Sequence, residues 1–268
     1  MSAAAARQAF RTNWWARAGW LLLAAYVVYA GSQLEFTWAR FEIGLGNGAK
    51  FLDRMFPPRI AQPDSLAKGL IESLEIAVLA SFIGILLSLP IGLAASRNLM
   101  PAWATWPARA LIALCRSFHP VIVAILFVKA VGFGALAGIL ALVVASVGFI
   151  GKLFAEAIEE ISPKQVEAVR ATGASFMNVI LYGVLPQVFT RFIGFGTYQL
   201  DSNLRNSTMV GIVGAGGIGG TLFAAFQRFD YDFVAAILIS IILMIMAGEV
   251  IAGWVRAVFL ERGKVADE

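Results

Sequence analysis

The feature that most limits what this chain can fold into is a set of long apolar stretches, some without a single charged residue. Residues 76–96 carry no charge over 21 positions, and residues 132–151 carry none over 20. A helix of about 20 apolar residues spans the hydrocarbon core of a bilayer. Only 14% of the chain is charged, whereas soluble domains are about 25% charged. The chain is therefore predicted to be an all-α integral membrane protein.

Six apolar stretches, some interrupted by a few polar residues, divide the chain into predicted spans and loops. We predict an N-terminal segment at 1–17, a transmembrane domain at 18–258 and a C-terminal tail at 259–268. The polar segment 153–186 separates the fourth span from the fifth. The spans are expected at about 18–37, 66–96, 106–131, 132–152, 187–213 and 232–257.

Lysines and arginines in the predicted loops indicate the orientation of the chain. Six spans place both termini on the same side of the membrane, together with segment 153–186. Eleven basic residues lie in the loops on that side and six in the loops on the other. Because basic loops stay in the cytoplasm, both termini and segment 153–186 are predicted to be cytoplasmic. The mild net charge of +4 is explained by this bias and does not indicate nucleic-acid binding.

A glycine-rich segment, MVGIVGAGGIGG at 209–220, has the G-x-G-x-x-G spacing of a dinucleotide-binding turn. Such a turn needs a preceding strand, a following helix and an acid about 20 residues further on. The acids that follow come too early or too late, and the downstream segment is a predicted span, so we reject a membrane-bound NAD enzyme. We expect a tight re-entrant turn or closely packed helices that serve as a gate or hinge. Its members are Gly214, Gly216, Gly217 and Gly219.

Segment 153–186 is the most informative polar part of the sequence. Its stretch AEAIEEISPKQVEAVRATG is compatible with two short helices. Ser162 is a suitable N-cap for the second helix, Pro163 fits its first position, and Gly173 fits a left-handed residue at its end. A small charged helix pair on the cytoplasmic side suits the groove of a partner protein. A solvated loop helix is the simpler alternative.

The residues EAVRATGASFMNVILYGVLP at 167–186 resemble the EAA signature of ABC-importer permeases. Two positions depart from the signature: Val169 replaces its second alanine and Gly183 replaces an isoleucine. The resemblance implies that this segment contains the coupling helix, which docks on an ATPase subunit. The matching positions, to which the resemblance assigns the ATPase-coupling role, are Glu167, Ala168, Gly173, Leu185 and Pro186.

Other stretches extend the resemblance over about residues 65–262. CRSFHPVIVAILFVKAVGFG, GFIGKLFAEAIEEI and LDSNLRNSTMVGIVGAGGIGG together are similar to the phosphonate-importer permeases. This resemblance implies the type I ABC importer permease fold with six transmembrane helices, and a phosphonate or related phosphorus oxyanion as cargo. Phosphite or a methionine-type cargo is the alternative. Members of the family often carry an acid after the histidine of RSFH, where this chain has Pro120.

The sequence contains no G-x-x-x-x-G-K-[ST] motif for nucleotide binding, so we expect no enzymatic activity from this chain. The resemblance implies that ATP and magnesium are bound by a dimer of a separate ATPase subunit in the bacterial inner membrane complex. It also implies a soluble or lipid-anchored substrate-binding protein.

A chain of six spans is half of a translocation path, which predicts a homodimer surrounded by membrane lipids. One histidine and one cysteine exclude a His- or Cys-rich metal cluster, and we expect no cofactor on this chain.

Charged residues inside predicted spans are costly in a bilayer and indicate function. Arginine suits an oxyanion because its guanidinium pairs two oxygens at once. The simpler alternatives are an i, i+4 pair of Asp201 and Arg205 that neutralises itself and a hydrogen-bonded core role for His119. An ion-coupled secondary transporter, driven through Asp201 and Glu249, is the rival class, but it leaves the EAA segment unexplained. The residues predicted to line a translocation pathway are Arg116, His119, Asp201, Asn203 and Arg205.

Overall fold

The computed structural model describes residues 14–33 and 37–265, with side chains through residue 258, and all regular structure in these ranges is helical. The predicted terminal segments therefore lie partly outside the described residues. The all-α prediction is confirmed, and the described ranges offer no strand for a dinucleotide-binding fold. The helices are α1 (Trp14–Gln33), α2 (Trp38–Met55), α3 (Pro63–Ala95), α4 (Ala102–Ser117), α5 (Pro120–Val131), α6 (Ala135–Glu159), α7 (Pro163–Ala171), α8 (Phe176–Ile212, with a π-helical turn at Val179–Val184), α9 (Ile218–Gln227) and α10 (Tyr231–Val265).

Four of these helices are long and apolar enough to cross a membrane: α3, α6, α8 and the Tyr231–Val258 part of α10. The consecutive helices α4 and α5 make a fifth candidate if the pair counts as one span. Helix α1, which corresponds to the predicted span at 18–37, does not reach the same apolarity. The described residues therefore form a multi-pass membrane protein with four or five candidate spans, and a sixth span stays a prediction.

The predicted third span at 106–131 is wrong as a continuous helix. Helices α4 and α5 meet there with a bend of 92°. His119 is extended, with φ −67° and ψ 141°, because the proline after it disfavours helical geometry at the preceding residue. Pro120 then begins α5, at a position where its missing N–H removes no helical hydrogen bond. The span is consequently broken at Phe118 and His119.

Helices α6 and α8 both extend further into segment 153–186 than predicted. Helix α6 continues to Glu159, so the first of the two short helices predicted there is the end of α6. The continuation keeps an apolar face, since Phe154 and Ile158 are buried. Helix α8 begins at Phe176 rather than at residue 187. Only a short excursion, which contains α7, therefore joins these two long helices.

The chain divides into two compact units between Arg54 and Met55. In the second unit, small residues allow α3 and α6 to approach closely, as is common between membrane helices. A Cβ on Gly84 would overlap the side chain of Ser146. The buried cluster between these helices and their neighbours includes Ile76, Ala80, Val123, Ala124, Ala137, Ala141, Leu142 and Val210. The α3–α6 pair is thus the frame on which α5 and α8 are positioned.

Candidate functional site

Helix α7 forms in the segment where a coupling helix was predicted, with the expected residues at its ends. Pro163 lies in its first turn. Gly173 has φ +77°, a left-handed conformation that favours glycine, and its N–H donates to the carbonyl oxygen of Arg170 at 3.0 Å. The side chain of Ser162 makes no capping hydrogen bond, so that prediction is wrong. The backbone N–H of Ser162 instead donates to Oε1 of Gln187 at 2.9 Å.

One face of α7 is anchored in the protein, and the opposite face lies at the surface. Val166 is only 5% exposed and packs with buried residues of α6 and α8. Four of the five EAA-like residues are exposed and the fifth is half-buried. An apolar anchor beneath an exposed motif is the arrangement expected of a helix that docks on another protein. The exposed residues are Glu167, Ala168, Gly173 and Pro186, and the half-buried one is Leu185.

The break between α4 and α5 brings Arg116 and His119 to the surface within the depth that α6 crosses. Both side chains are exposed. Arg116 passes over α6 at Gly148, where a Cβ would lie 2.8 Å from Cγ of Arg116. Gly148 follows the first residue of α6, Ala135, by 13 positions (148 − 135), which is about 20 Å at the helical rise. Lys152, the first charged residue of α6, follows Gly148 by four positions (152 − 148), which is about 6 Å. The break therefore lies within the uncharged part of α6, near its predicted cytoplasmic end.

His119 is the N-cap of α5. Its Nδ1 accepts a hydrogen bond from the backbone N–H of Val121 at 3.3 Å. The ring is therefore hydrogen-bonded, as one alternative expected, but it is exposed and does not lie in a core. Because His119 lies beside the break, its ring is accessible to a ligand at that depth of the span.

A cavity of about 350 Å³ opens between α4 and α6 beside Arg116. Three cations line it, and two of them have acidic partners: Arg109 pairs with Glu159 at 2.6 Å, and Lys152 pairs with Glu156 at 3.3 Å. Within the described part of the chain, Arg116 has no ion-pair partner. A guanidinium without a carboxylate partner keeps its donors for an anion, so Arg116 is the position in this cavity that most favours an anion.

On α8 the structure brings Asp201 and Arg205 together. Nη2 of Arg205 lies 2.7 Å from Oδ2 of Asp201, at the i, i+4 spacing. The Arg205 side chain is 47% exposed, whereas that of Asp201 is 13% exposed. The other carboxylate oxygen, Oδ1, is buried and has no hydrogen-bond partner among the described residues. The expected pair is present, but it satisfies only half of the carboxylate and leaves a buried acceptor.

Asn203 lies apart from that pair and is fully buried where α8 crosses α3 and α6. Its Nδ2 donates to Oγ of Ser81 at 2.9 Å and to Oγ of Ser146 at 3.0 Å. Gln199 donates from Nε2 to Oγ of Ser146 at 2.8 Å and to Oδ1 of Asn203 at 3.0 Å. This network joins three helices away from solvent. Asn203 is therefore placed to hold helices together and does not face an open path in this structure.

We expect Asn203→Leu to lower the thermal stability of the protein. Leucine has a similar volume but leaves the polar groups of Ser81, Ser146 and Gln199 without this partner, and each unsatisfied buried polar group costs about 1–3 kcal/mol. The melting temperature of the detergent-solubilised protein measures the effect. Asn206→Leu is the matched control, because Asn206 is only half-buried and makes one long hydrogen bond of 3.4 Å. Equal melting temperatures for the two variants would contradict the role of the network.

The glycine run forms a tight turn between α8 and α9, as predicted. Three of its glycines have positive φ, a conformation that other residues adopt only with strain. The carbonyl oxygen of Gly214 accepts the N–H of Gly134 at 3.0 Å, which ties the turn to the start of α6. The φ values are +85° at Gly214, +81° at Gly216 and +80° at Gly217.

Gly219 belongs to α9 and allows this helix to contact α8. A Cβ on Gly219 would overlap the carbonyl oxygen of Thr208. The N–H of Ile218 donates to Oγ of Ser73 at 2.8 Å, which fastens α9 to α3. Both predicted geometries, a tight turn and closely packed helices, are thus present, and the role of these glycines in a gate or hinge stays a prediction.

Comparison with known proteins places most of this chain in one family. Residues 88–262 match the family described as binding-protein-dependent transport system inner membrane component. The phosphate-import permease protein PhnE of Mycolicibacterium smegmatis is 40% identical over 238 residues, which make up 88% of this chain but only 44% of that longer protein. The phosphite transport system permease protein PtxC of Stutzerimonas stutzeri is 38% identical over 256 residues, 93% of this chain and 92% of that protein.

Solved structures show the same fold. A chain of the MetNI methionine ABC transporter, in an inward-facing conformation, has a TM-score of 0.59 and 26% identity, and the match covers 71% of this chain and 95% of that chain. A bacterial ABC transporter involved in the import of the acidic polysaccharide alginate has a TM-score of 0.56, with 88% of this chain and 96% of that chain covered. Its sequence identity of 17% makes this a likeness of fold alone.

Proposed function

We propose a function from one premise: this chain belongs to the family of inner membrane components of binding-protein-dependent transport systems. It is a permease subunit of an ABC importer, with an all-helical, multi-pass membrane fold. The more specific proposal is that it translocates a phosphonate or a related phosphorus oxyanion. The observation that carries this proposal is the uncompensated guanidinium of Arg116 at the break between α4 and α5.

Arginine at a broken membrane helix supports an oxyanion cargo. A guanidinium pairs two oxygens of a phosphorus oxyanion in one plane, and broken helices line binding sites near the middle of many transporters. The relatives named for phosphate import and phosphite transport cover most of this chain. Methionine, which the structural neighbour is named for, is the alternative cargo.

The proposed complex has two copies of this chain, a dimer of a separate ATPase subunit and a soluble or lipid-anchored binding protein. ATP and magnesium are held by the ATPase. The exposed motif residues of α7, with Glu167 at the centre, form the docking surface for that subunit. Each copy contributes six spans, with α1 as the first and both termini cytoplasmic. The glycine turn after α8 belongs to the outer gate.

The mechanism that follows is alternating access. The loaded binding protein docks on the outer face, ATP closes the two ATPase subunits, and the α7 helices move with them. The spans rock until the path opens outward and receives the oxyanion. Hydrolysis of ATP resets the inward-open state and releases the cargo near Arg116. The permease itself forms no covalent bond with the cargo, and the free energy comes from ATP.

Uptake into proteoliposomes tests this function. The permease, its ATPase and its binding protein are reconstituted together, and accumulation of methylphosphonate, phosphite, phosphate and methionine is measured with and without ATP. We expect accumulation of at least one phosphorus oxyanion that requires ATP, the ATPase and the binding protein. Accumulation without the ATPase would favour an ion-coupled transporter, and accumulation of methionine alone would replace the proposed cargo.

Arg116→Ala is expected to lower oxyanion uptake at least about tenfold, because a hydrogen bond to a charged group contributes about 1.5–3 kcal/mol. Arg205→Ala should lower uptake by a smaller factor, since Arg205 is partly neutralised by Asp201. The assembled complex should be recovered in normal amount in both cases. Arg256→Ala is the control, because this arginine lies in the C-terminal third of α10 and, among the side chains that the structure describes, bonds a carbonyl of its own helix. Unchanged uptake in a variant would remove that arginine from the pathway.

A further inference from the structure

The junction of α7 with α8 holds a side chain to which the proposed function gives no role. Gln187 lies in the helix directly after Pro186 and is half-buried. Its Nε2 donates to the carbonyl oxygen of Gly183 at 2.6 Å, and its Oε1 accepts the backbone N–H of Ser162 at 2.9 Å. Ser162 is the residue immediately before α7. A single amide therefore bridges the base of α8 and the start of α7.

The same amide bonds to the most irregular turn of α8. Residues Val179–Val184 form a π-helical turn, a conformation that is rare and frequent at functional sites. Gly183 lies in this turn, and a Cβ there would lie 3.4 Å from Cα of Val166 and 3.6 Å from Cγ2 of Val169. Helix α7 thus rests directly against the turn at which α8 departs from regular geometry.

Other contacts that hold α7 and the chain before it against α8 do not fix an orientation in the same way. The buried cluster around Val166 anchors α7, but apolar contact is non-directional. Arg191, one turn beyond Gln187, pairs with Glu160, yet these side chains are 51% and 65% exposed. Exposed ion pairs contribute little to stability. The hydrogen bond from the N–H of Ser162 to Oε1 of Gln187 is a directional link at this junction, and the bond from Nε2 to Gly183 holds that amide in place.

We propose that Gln187 is a positioning residue that makes α7 and the base of α8 move as one body. A displacement of α7 by the ATPase would then be passed into the membrane at the π-helical turn. Without the amide bridge, α7 would pivot about Val166 and the displacement would be lost before it reached α8. This inference rests on the proposed function in one respect, because it takes α7 as the helix that the ATPase moves.

Gln187→Leu in the reconstituted complex tests the transmission of movement. We expect the ATPase to stay bound and the melting temperature to stay near that of the wild type, since water can replace the bond to the exposed N–H of Ser162. Uptake of methylphosphonate, phosphite or phosphate per ATP hydrolysed should fall about fivefold, the factor that corresponds to one net hydrogen bond. Gln187→Glu, which keeps the acceptor for Ser162, should recover part of the loss. Gln227→Leu, the same change at the exposed last residue of α9, should leave this ratio unchanged.

A distance measurement tests whether Gln187 links α7 to α8, and it needs no cargo. The chain has one cysteine, Cys115, so Cys115→Ser provides a background for spin labels at Ala171→Cys on α7 and Gly194→Cys on α8. A Cβ at Gly194 meets no atom within 4 Å, and Ala171 is exposed. Labelled chains are diluted with unlabelled ones so that the distance within one copy dominates. We expect a narrow distribution of that distance, which broadens when Gln187→Leu is added.

The outcomes distinguish a failure of the role of Gln187 from a failure of the proposed function. An unchanged distance distribution together with an unchanged ratio of uptake to ATP hydrolysis would overturn the role of Gln187. Suppose that Gln187→Leu broadens the distribution, but the wild-type complex accumulates none of the tested cargo molecules. This result would support the link through Gln187 and refute the proposed function.

Discussion

Replacing Gly219 with alanine is expected to destabilise the permease strongly. A Cβ there would overlap the carbonyl oxygen of Thr208 and lie 2.8 Å from the backbone nitrogen of Ile212. Both contacts involve the backbone of α8, which cannot rotate away as a side chain can. Overpacking by a methyl group costs about 1–3 kcal/mol and occasionally more, and the rigid opposing backbone favours the upper end. The yield of monodisperse protein and its melting temperature in detergent measure the loss.

The next residue provides the matched control. A Cβ on Gly220 would lie 3.6 Å from the carbonyl oxygen of Gly211, which is an ordinary contact. Alanine also has a higher helix propensity than glycine, so Gly220→Ala should melt at or above the temperature of the wild type. If Gly219→Ala were equally stable, α8 and α9 would not cross as closely as the structure places them.

Glu167→Lys on the exposed face of α7 is expected to uncouple the permease from its ATPase. The change leaves the buried anchor Val166 untouched, so the protein should insert and fold normally. It reverses the charge presented to the proposed partner, and a wrong charge at an interface costs several kcal/mol. Because each 1.4 kcal/mol is a factor of ten, we expect ATP-driven uptake to fall at least about a hundredfold. Co-purification of the ATPase and uptake into proteoliposomes measure the effect.

Gln165→Lys places the same lysine side chain two residues earlier, on a different side of α7 where it is also exposed. If Gln165→Lys keeps uptake near the wild-type rate while Glu167→Lys loses it, the loss of uptake is specific to the EAA-like position 167. Normal uptake by Glu167→Lys would show that Glu167 lies outside the ATPase interface.

Features that depend on local sequence were predictable. The uncharged runs at 76–96 and 132–151 fall mostly in α3 and α6, because a bilayer favours any helix that is long and apolar enough. Pro163 and Gly173 mark the ends of α7, since each restricts or permits particular backbone angles by itself. Pro120 carries an equally local signal, so the break before it was predictable even though a continuous span was expected there.

Contacts between distant segments were not predictable from such patterns. A serine inside a membrane helix usually bonds its own backbone, as Ser81 does by donating from Oγ to the carbonyl oxygen of Ala77 at 2.7 Å. The residues next to Ser81 in the sequence do not predict its hydrogen bond from Asn203, which is 122 residues away. Gln187 follows the EAA-like motif, but the N–H that it accepts belongs to Ser162, 25 residues upstream. These pairings depend on how whole helices cross, which residue periodicity does not specify.

The buried network around Asn203 has a consequence for biogenesis. Helix α8 is the least apolar of the four candidate spans, and a polar side chain such as Asn203 makes unaided transfer from the translocon into lipid unfavourable. Synthesis proceeds from the N-terminus, so α3 and α6 reach the bilayer before α8 emerges. The hydroxyl groups of Ser81 and Ser146 are then already in place to accept hydrogen bonds from the Asn203 amide. We therefore expect helix α8 to enter the membrane by docking on a preformed pair, so that the order of the helices along the chain is also the order in which this site is built.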